Sequence, residues 1–279
     1  MKRIVIIPNR HKDASLEITG KVIRLLSEIG IDVLVGAAEE EYIKNCSVSF
    51  YTDFPSDAEL LIVVGGDGTI IDASHYAVAH DIPILGINLG KIGYLSEIDP
   101  SEIETLKRLV DGRYRIEERM LLEIEGKGDR LAVNDIVVSH MEYLGMGSFR
   151  VESSASGSIS YRADSIILST PQGSTAYSLS AGGPVVSHDV KTIVMSAVAP
   201  HSFFNRSVLF GADEKVKITN PGTDTLNVSI DGRLYMRLSE GESCTVVKSE
   251  KSIKVLTFTE NSMFSNLFKK MRLLEDIDK

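Results

Sequence analysis

Five consecutive apolar residues, Leu60, Leu61, Ile62, Val63 and Val64, run directly into Gly65-Gly66-Asp67-Gly68-Thr69. A strand with one solvated face alternates apolar and polar positions. A strand apolar at every position has both faces covered, as a central strand of a parallel sheet does. Residues 69–79 then read as a helix, so strand, glycine turn and helix follow one another without a linker. The first hundred residues repeat this alternation. Residues 2–8 are a short run rich in Ile and Val, and residues 14–29 place Leu16, Ile18, Val22, Leu25, Leu26 and Ile29 on one broad helical face. Gly30 is positioned to end that helix in a left-handed conformation. Further strands are expected at 31–35 and 82–87 and another helix at 101–112. The pattern predicts an open, Rossmann-like α/β sheet with ligands at the C-terminal ends of its strands.

From about residue 114 the period changes. Val216-Lys217-Ile218, Leu226-Asn227-Val228-Ser229-Ile230 and Ile253-Lys254-Val255 alternate apolar and polar residues, punctuated by Asn220-Pro221-Gly222, Asp231-Gly232 and Glu240-Gly241. This half reads as a second, β-rich, sandwich-like domain. Met263, Phe264, Leu267, Phe268, Met271 and Leu274 recur at helical spacing, which predicts a C-terminal helix docking on the first domain. The expected division is 1–100, 101–258 and 259–279.

No apolar run approaches the ~20 residues that span a bilayer, and the apolar start is too short for a secretory signal. A cytoplasmic protein with no membrane partner is expected. The net charge of −9 argues against nucleic-acid binding, which needs a basic surface. It also means that any site for anions must carry its own positive field. Cys46 and Cys244 leave a disulfide open, although a reducing compartment favours free thiols. The six histidines form no His-x-x-x-His pair of the kind that holds zinc.

The glycines around Asp67 let the backbone approach a ligand and adopt positive φ. The helix beyond them offers unpaired N–H groups and partial positive charge suited to phosphate oxygens. The carboxylate is the informative residue. A phosphate cradle gains nothing from an anion, and a P-loop would carry a lysine that this motif lacks. Asp67 makes sense beside phosphates as the acceptor of a proton from an attacking hydroxyl, as a metal contact, or as both. The plainer reading is a helix cap, but two glycines before Asp67 and one after exceed what a cap requires.

A second loop of small residues, Thr170-Pro171-Gln172-Gly173-Ser174-Thr175-Ala176-Tyr177-Ser178-Leu179-Ser180, follows the apolar run 165–169. Tyr177 there could pack against a flat base. Together the two motifs, in this order and at this separation, resemble the NAD kinase family. The resemblance continues through Gly86-Ile87-Asn88-Leu89-Gly90-Lys91-Ile92-Gly93-Tyr94-Leu95, Asn134-Asp135, Tyr161-Arg162-Ala163-Asp164, Pro200-His201-Ser202 with Arg206, and Ile230-Asp231-Gly232.

The resemblance implies a kinase that phosphorylates the 2′-hydroxyl of the adenosine ribose of NAD, giving NADP. It implies Asp67 as the general base, with Gly66, Gly68 and Thr69 shaping the phosphate side and Tyr94 among the nucleotide-binding residues. Asn134 and Asp135 match the family's Asn-Glu pair near ribose and pyrophosphate, Asp135 being one methylene shorter. Thr175, Ala176, Tyr177, Ser178, Leu179 and Ser180 would line the adenine and ribose pocket, and Arg162 would offset phosphate charge. Asp164 would bind the nicotinamide end; in related proteins that residue serves a neighbouring subunit, which implies a dimer or tetramer. Arg233 stands where many relatives carry a neutral or acidic residue. A divalent metal ion, Mg2+ by expectation, would assist, with ATP, another nucleoside triphosphate or polyphosphate as donor. The alternatives are a lipid kinase of the diacylglycerol or sphingosine type, which shares only the first motif, and a non-catalytic NAD sensor.

Overall fold

The structure, a computed structural model, describes residues 1–43, 46–90, 93, 95–140, 146–202 and 204–258. It divides into two units, Met1–Glu118 with the described residues from Ile253 onward, and Arg119–Ser252. The expected C-terminal helix lies outside the described residues.

The first unit contains β1 (Arg3–Pro8), α1 (Glu17–Glu28), β2 (Asp32–Gly36), β3 (Ser49–Tyr51), β4 (Leu60–Gly65), α2 (Asp67–Ala79) and β5 (Ile84–Asn88). The strands stand in the order β3-β2-β1-β4-β5, and every pair is parallel. β4 is buried at all six positions, as its unbroken apolar run requires. Gly30, at φ +80, ends α1 as expected. At the other end the Asp13 carboxylate accepts the N–H groups of Ile18 at 3.2 Å and Thr19 at 2.8 Å, satisfying donors that the first turn leaves open. A 3₁₀-type segment, Pro100–Leu109, starts with a capping box between Asp99 and Glu102. Its Ile103, Leu106 and Leu109 join Ile4, Val22, Leu26, Leu60, Leu85, Leu256 and Phe258 in one core. That packing joins residues 103–109 and the end of the described chain to the first unit, whose bounds fall after Glu118 and before Ile253.

In this strand order the chain leaves β1 toward β2 on one side and returns through β4 on the other. The loops after β1 and β4 therefore face each other across the crevice where the order reverses. Ligands bind at such a switch point in open α/β sheets.

The second unit is a sandwich. Its strands are β6 (Arg115–Ile124), β7 (Leu131–Ala132), β8 (Asp135–His140), β9 (Gly147–Ser153), β10 (Gly157–Ala163), β11 (Ser165–Ser169), β12 (Thr192–Val198), β13 (Val208–Gly211), β14 (Val216–Thr219), β15 (Leu226–Ile230), β16 (Arg233–Leu238) and β17 (Ser243–Thr257), with a one-turn helix α3 (Tyr177–Ser180). One sheet runs β13-β12-β11-β8-β15-β16, and the facing sheet includes β10-β9-β14-β17. Ile136, Ile166, Met195 and Val228 from the first meet Phe149, Val151, Ile218 and Val246 from the second in a single core. β15 has buried positions at Leu226, Val228 and Ile230, the alternation read from the sequence. β17 starts in this unit and ends in the first, where Val255 pairs in parallel with Ile84. Both cysteines are free, and burial pushes the Cys244 thiol up to about 12.

Candidate active site

In the first unit β4 delivers the glycine motif to the switch point. Gly66 precedes α2 with extended backbone, φ −114 and ψ −178, and its carbonyl accepts the N–H groups of Thr69 at 2.9 Å and Ile70 at 3.1 Å. Asp67 is the first residue of the helix and half-buried. Its Oδ1 accepts the Leu95 N–H at 3.0 Å, which fixes the carboxylate above the helix start. Thr69 is half-buried, and its Oγ1 lies 2.6 Å from Nδ2 of Asn9, which donates to it.

None of the motif's glycines takes a positive φ, contrary to expectation. What they supply is room. A Cβ on Gly65 would fall 2.9 Å from Cβ of Thr69, and one on Gly66 would fall 2.2 Å from Nζ of Lys12. Gly68 is exposed, and a Cβ there would meet nothing within 4 Å.

Lys12 comes from the loop after β1, as the strand order dictates. Asn9 builds that loop: its Oδ1 accepts the N–H groups of His11 at 3.0 Å and Lys12 at 3.2 Å, while its own N–H donates to the Val64 carbonyl at 2.8 Å. The motif itself lacks a lysine, as read from the sequence, but the fold brings one to it from 54 positions upstream of Gly66.

In the second unit three distant segments are tied together. Asp231 sits in a left-handed turn with φ 46. Its carboxylate accepts the N–H groups of Val133 at 2.8 Å, Asn134 at 2.8 Å and Asp135 at 3.1 Å. Thr170 closes the cluster, its N–H bonding to the Asn134 carbonyl at 2.9 Å and its hydroxyl to the Val133 carbonyl at 2.7 Å. Gly173 packs so tightly here that a Cβ would lie 2.1 Å from the Asn134 oxygen. Asp135 is buried, and desolvation, then repulsion from Asp231, raises its carboxyl from 3.8 to about 7.

The predicted residues of the second loop divide by direction. Tyr177, Leu179 and Ser180 are exposed and Ala176 is half-buried. Thr175 and Ser178 point inward: the Thr175 hydroxyl donates to the Gln172 carbonyl at 3.2 Å, and Ser178 Oγ lies 3.2 Å from Ser196 Oγ. Arg233 is exposed just past the Asp231-Gly232 turn, at the end of the sheet that carries Asn134 and Asp135. Arg162 and Asp164 are exposed at the opposite end. β11 separates Asp164 from Thr170, roughly 20 Å at the usual rise per residue. Tyr94 lies outside the described residues.

Sequence reasoning missed Lys12 and the anchoring role of Asp231. The signal for Lys12 was present: basic residues directly after the first strand, whose loop the switch-point rule sets opposite the glycine motif.

Residues 4–114 match the model of the ATP-NAD kinase N-terminal domain, and residues 133–258 that of the ATP-NAD kinase C-terminal domain. The chain is 35% identical to an NAD kinase of Natranaerobius thermophilus, over 97% of this chain and 98% of that one. It is 34% identical to an NAD kinase of Lachnoclostridium phytofermentans, over 95% and 96%. Among solved structures, yeast NADH kinase complexed with NADH is similar, with a TM-score of 0.81 and 25% identity over 96% of this chain and 87% of that one. An NAD kinase from Archaeoglobus fulgidus in complex with ATP shares the fold, with a TM-score of 0.72 and 23% identity over 97% and 99%.

Proposed function

The chain belongs to the NAD kinase family, and on that premise we propose how its residues move the terminal phosphoryl group of ATP to the 2′-hydroxyl of the adenosine ribose of NAD, giving NADP. The Asp67 carboxylate, held by the Leu95 N–H at the start of α2, carries this assignment. It accepts the proton of the 2′-hydroxyl as that oxygen attacks the terminal phosphorus. The bond from phosphorus to the bridging oxygen breaks, and ADP leaves. Negative charge spread over the transferred group is met by N–H groups of the α2 first turn. Positioning and electrostatics do most of the work in phosphoryl transfer.

The second unit supplies the residues for NAD. Tyr177 and Leu179 offer exposed apolar surface for adenine, with Ala176 and Ser180 beside them. Asn134 and Asp135 meet the ribose, their backbone fixed by Asp231. Thr175 and Ser178 shape the loop from within. Arg162 and Arg233 offset phosphate charge. The roughly 20 Å between Asp164 and Thr170 supports a site shared between subunits, with Asp164 offered to a neighbour's NAD. We therefore infer a homo-oligomer.

Among the described residues no group of three or more His, Cys, Asp or Glu could hold a metal ion. A magnesium ion brought with the donor's phosphates would be held on the protein side by the Asp67 carboxylate, an oxygen donor of the kind that ion takes. When bound, such an ion neutralises phosphate charge. No helix of the described residues is long and apolar enough to cross a membrane, and we propose a cytoplasmic enzyme. The match to both domain models leaves the lipid kinase reading without support.

The test is NADP formation from NAD, ATP and magnesium, read with a dehydrogenase specific for NADP. Asp67→Asn should lower kcat by ~10²–10⁴-fold, the usual contribution of a general base, with little change in KM for NAD. Near-normal turnover in that variant would remove Asp67 from the role.

A further inference from the structure

We propose that Lys12 binds the phosphate chain of the phosphoryl donor, doing from the loop after β1 what a lysine within the motif does in a P-loop. The proposal rests on the kinase reading and names a residue that the resemblance did not assign.

The ammonium lies against the glycine loop. Its Nζ is 2.2 Å from the position of a Cβ on Gly66 and 3.3 Å from that of a Cβ on Gly90. The two glycines lie close as well, the same Gly90 position being 4.0 Å from Cα of Gly66. A side chain at residue 66 would occupy the space that the ammonium fills. Glycine here therefore gives the cation direct access to the backbone from which α2 starts.

The loop after β1 is built to hold Lys12 there. Asn9 bonds to the His11 and Lys12 N–H groups through Oδ1 and to Thr69 through Nδ2. Asp13, the next residue after Lys12, is buried and anchors α1 through Ile18 and Thr19. Lys12 thus stands between two fixed points, with its side chain exposed. Among the described residues no carboxylate pairs with its ammonium, whereas Lys21, Lys107 and Lys248 pair with Glu17, Glu104 and Asp213.

A helix N-terminus and an ammonium on one glycine loop suit a chain of phosphates. The Asp67 carboxylate stands on the same loop and would repel those phosphates without a nearby cation. A triphosphate tail and inorganic polyphosphate present the same groups, and the experiment separates them.

Binding of ATP, inorganic tripolyphosphate and NAD is measured by calorimetry with magnesium, on the wild-type protein and on Lys12→Met and Lys12→Arg. A charge-assisted hydrogen bond lost from the site corresponds to roughly 10–100-fold in affinity. Lys12→Met should weaken ATP and tripolyphosphate by that factor, leave NAD unchanged, and be partly rescued in Lys12→Arg. Gly66→Ala, which displaces the ammonium without removing it, should weaken the same two ligands. If tripolyphosphate alone fails to bind the wild type, the donor is nucleotide-linked and ATP carries the comparison. Wild-type affinity for the donor in Lys12→Met overturns the proposal, as does a loss confined to NAD, which would put the ammonium on the acceptor. A wild-type protein that binds donor but makes no NADP would sink the kinase reading alone, and the binding comparison would still decide Lys12.

Discussion

Replacing Asp135 by Asn should stabilise the protein, and by an amount that depends on pH in a defined direction. Asp135 is 6% exposed and faces a second carboxylate, Asp231, so its carboxyl is raised from 3.8 to about 7. Well below 3.8 the group is protonated in both folded and unfolded chains and contributes nothing. As pH rises through 3.8 the unfolded chain releases its proton, while the folded protein keeps it until about 7. Over that window the folded state binds more protons, so stability falls as pH rises. Above about 7 the full cost is in place. This is the reverse of a salt-bridged aspartate. At about 1.4 kcal/mol per factor of ten in proton affinity, the gap corresponds to about 4 kcal/mol.

Asn keeps the shape and cannot ionise. Urea unfolding of wild type and Asp135→Asn, from pH 5 to 8.5, isolates the effect because other titrating groups cancel in the difference. The variant's advantage should grow by about 2–3 kcal/mol between pH 5 and 7, at about 1.4 kcal/mol per pH unit, and then level off. A difference independent of pH would refute the reasoning, showing that Asp135 is ionised throughout or solvated in the folded state.

Two further substitutions probe the same unit. Gly173→Ala puts a methyl 2.1 Å from the Asn134 carbonyl oxygen, a backbone atom held on both sides. Its cost should reach at least about 3 kcal/mol, the upper end for overpacking, and thermal unfolding should show a Tm lower by roughly 10 °C. Tyr177→Ala removes a ring that is 45% exposed; its cost in stability should stay near 0.5 kcal/mol, but KM for NAD should rise roughly 5–100-fold as base stacking is lost. An unchanged KM would take Tyr177 out of the adenine site.

The parts of this fold that were legible are those where one local signal decides. The all-apolar run 60–64 could only be a strand covered on both faces, and it is β4. Gly30 ended its helix, and the alternation at 226–230 became β15 with its buried side facing the sandwich core. β3 escaped because three residues are too few to show a period. α2 starts at Asp67 rather than at 69 because the Gly66 carbonyl already takes the first helical bond, which glycine composition conceals. The segment Pro100–Leu109 is 3₁₀ in type where a helix was expected, and apolar spacing does not distinguish a 3₁₀ turn from an α turn. Positive φ was expected at the Asp67 motif from the conformational freedom of glycine, but space was the actual need. Lys12, and the anchoring role of the Asp231 carboxylate, escaped because they act on segments 54 and about 100 positions away. Only the strand order brings them into range.

The acidic composition posed a question that strand order answers. A chain of net charge −9 should repel phosphates as a whole, yet at physiological ionic strength a charge is felt over only about 8 Å. Most of the surface acids are therefore screened from the switch point. Exposed pairs such as Lys21 with Glu17 contribute at most about 1 kcal/mol each and leave little field behind. On our proposal the site is governed by what stands at the glycine loop itself: the N–H groups of the α2 first turn, the ammonium of Lys12 and the Asp67 carboxylate. Net charge thus argues against binding a polyanionic surface such as nucleic acid, which must engage many counterion sites at once. It carries no weight against a single phosphate chain met by one helix end and one lysine.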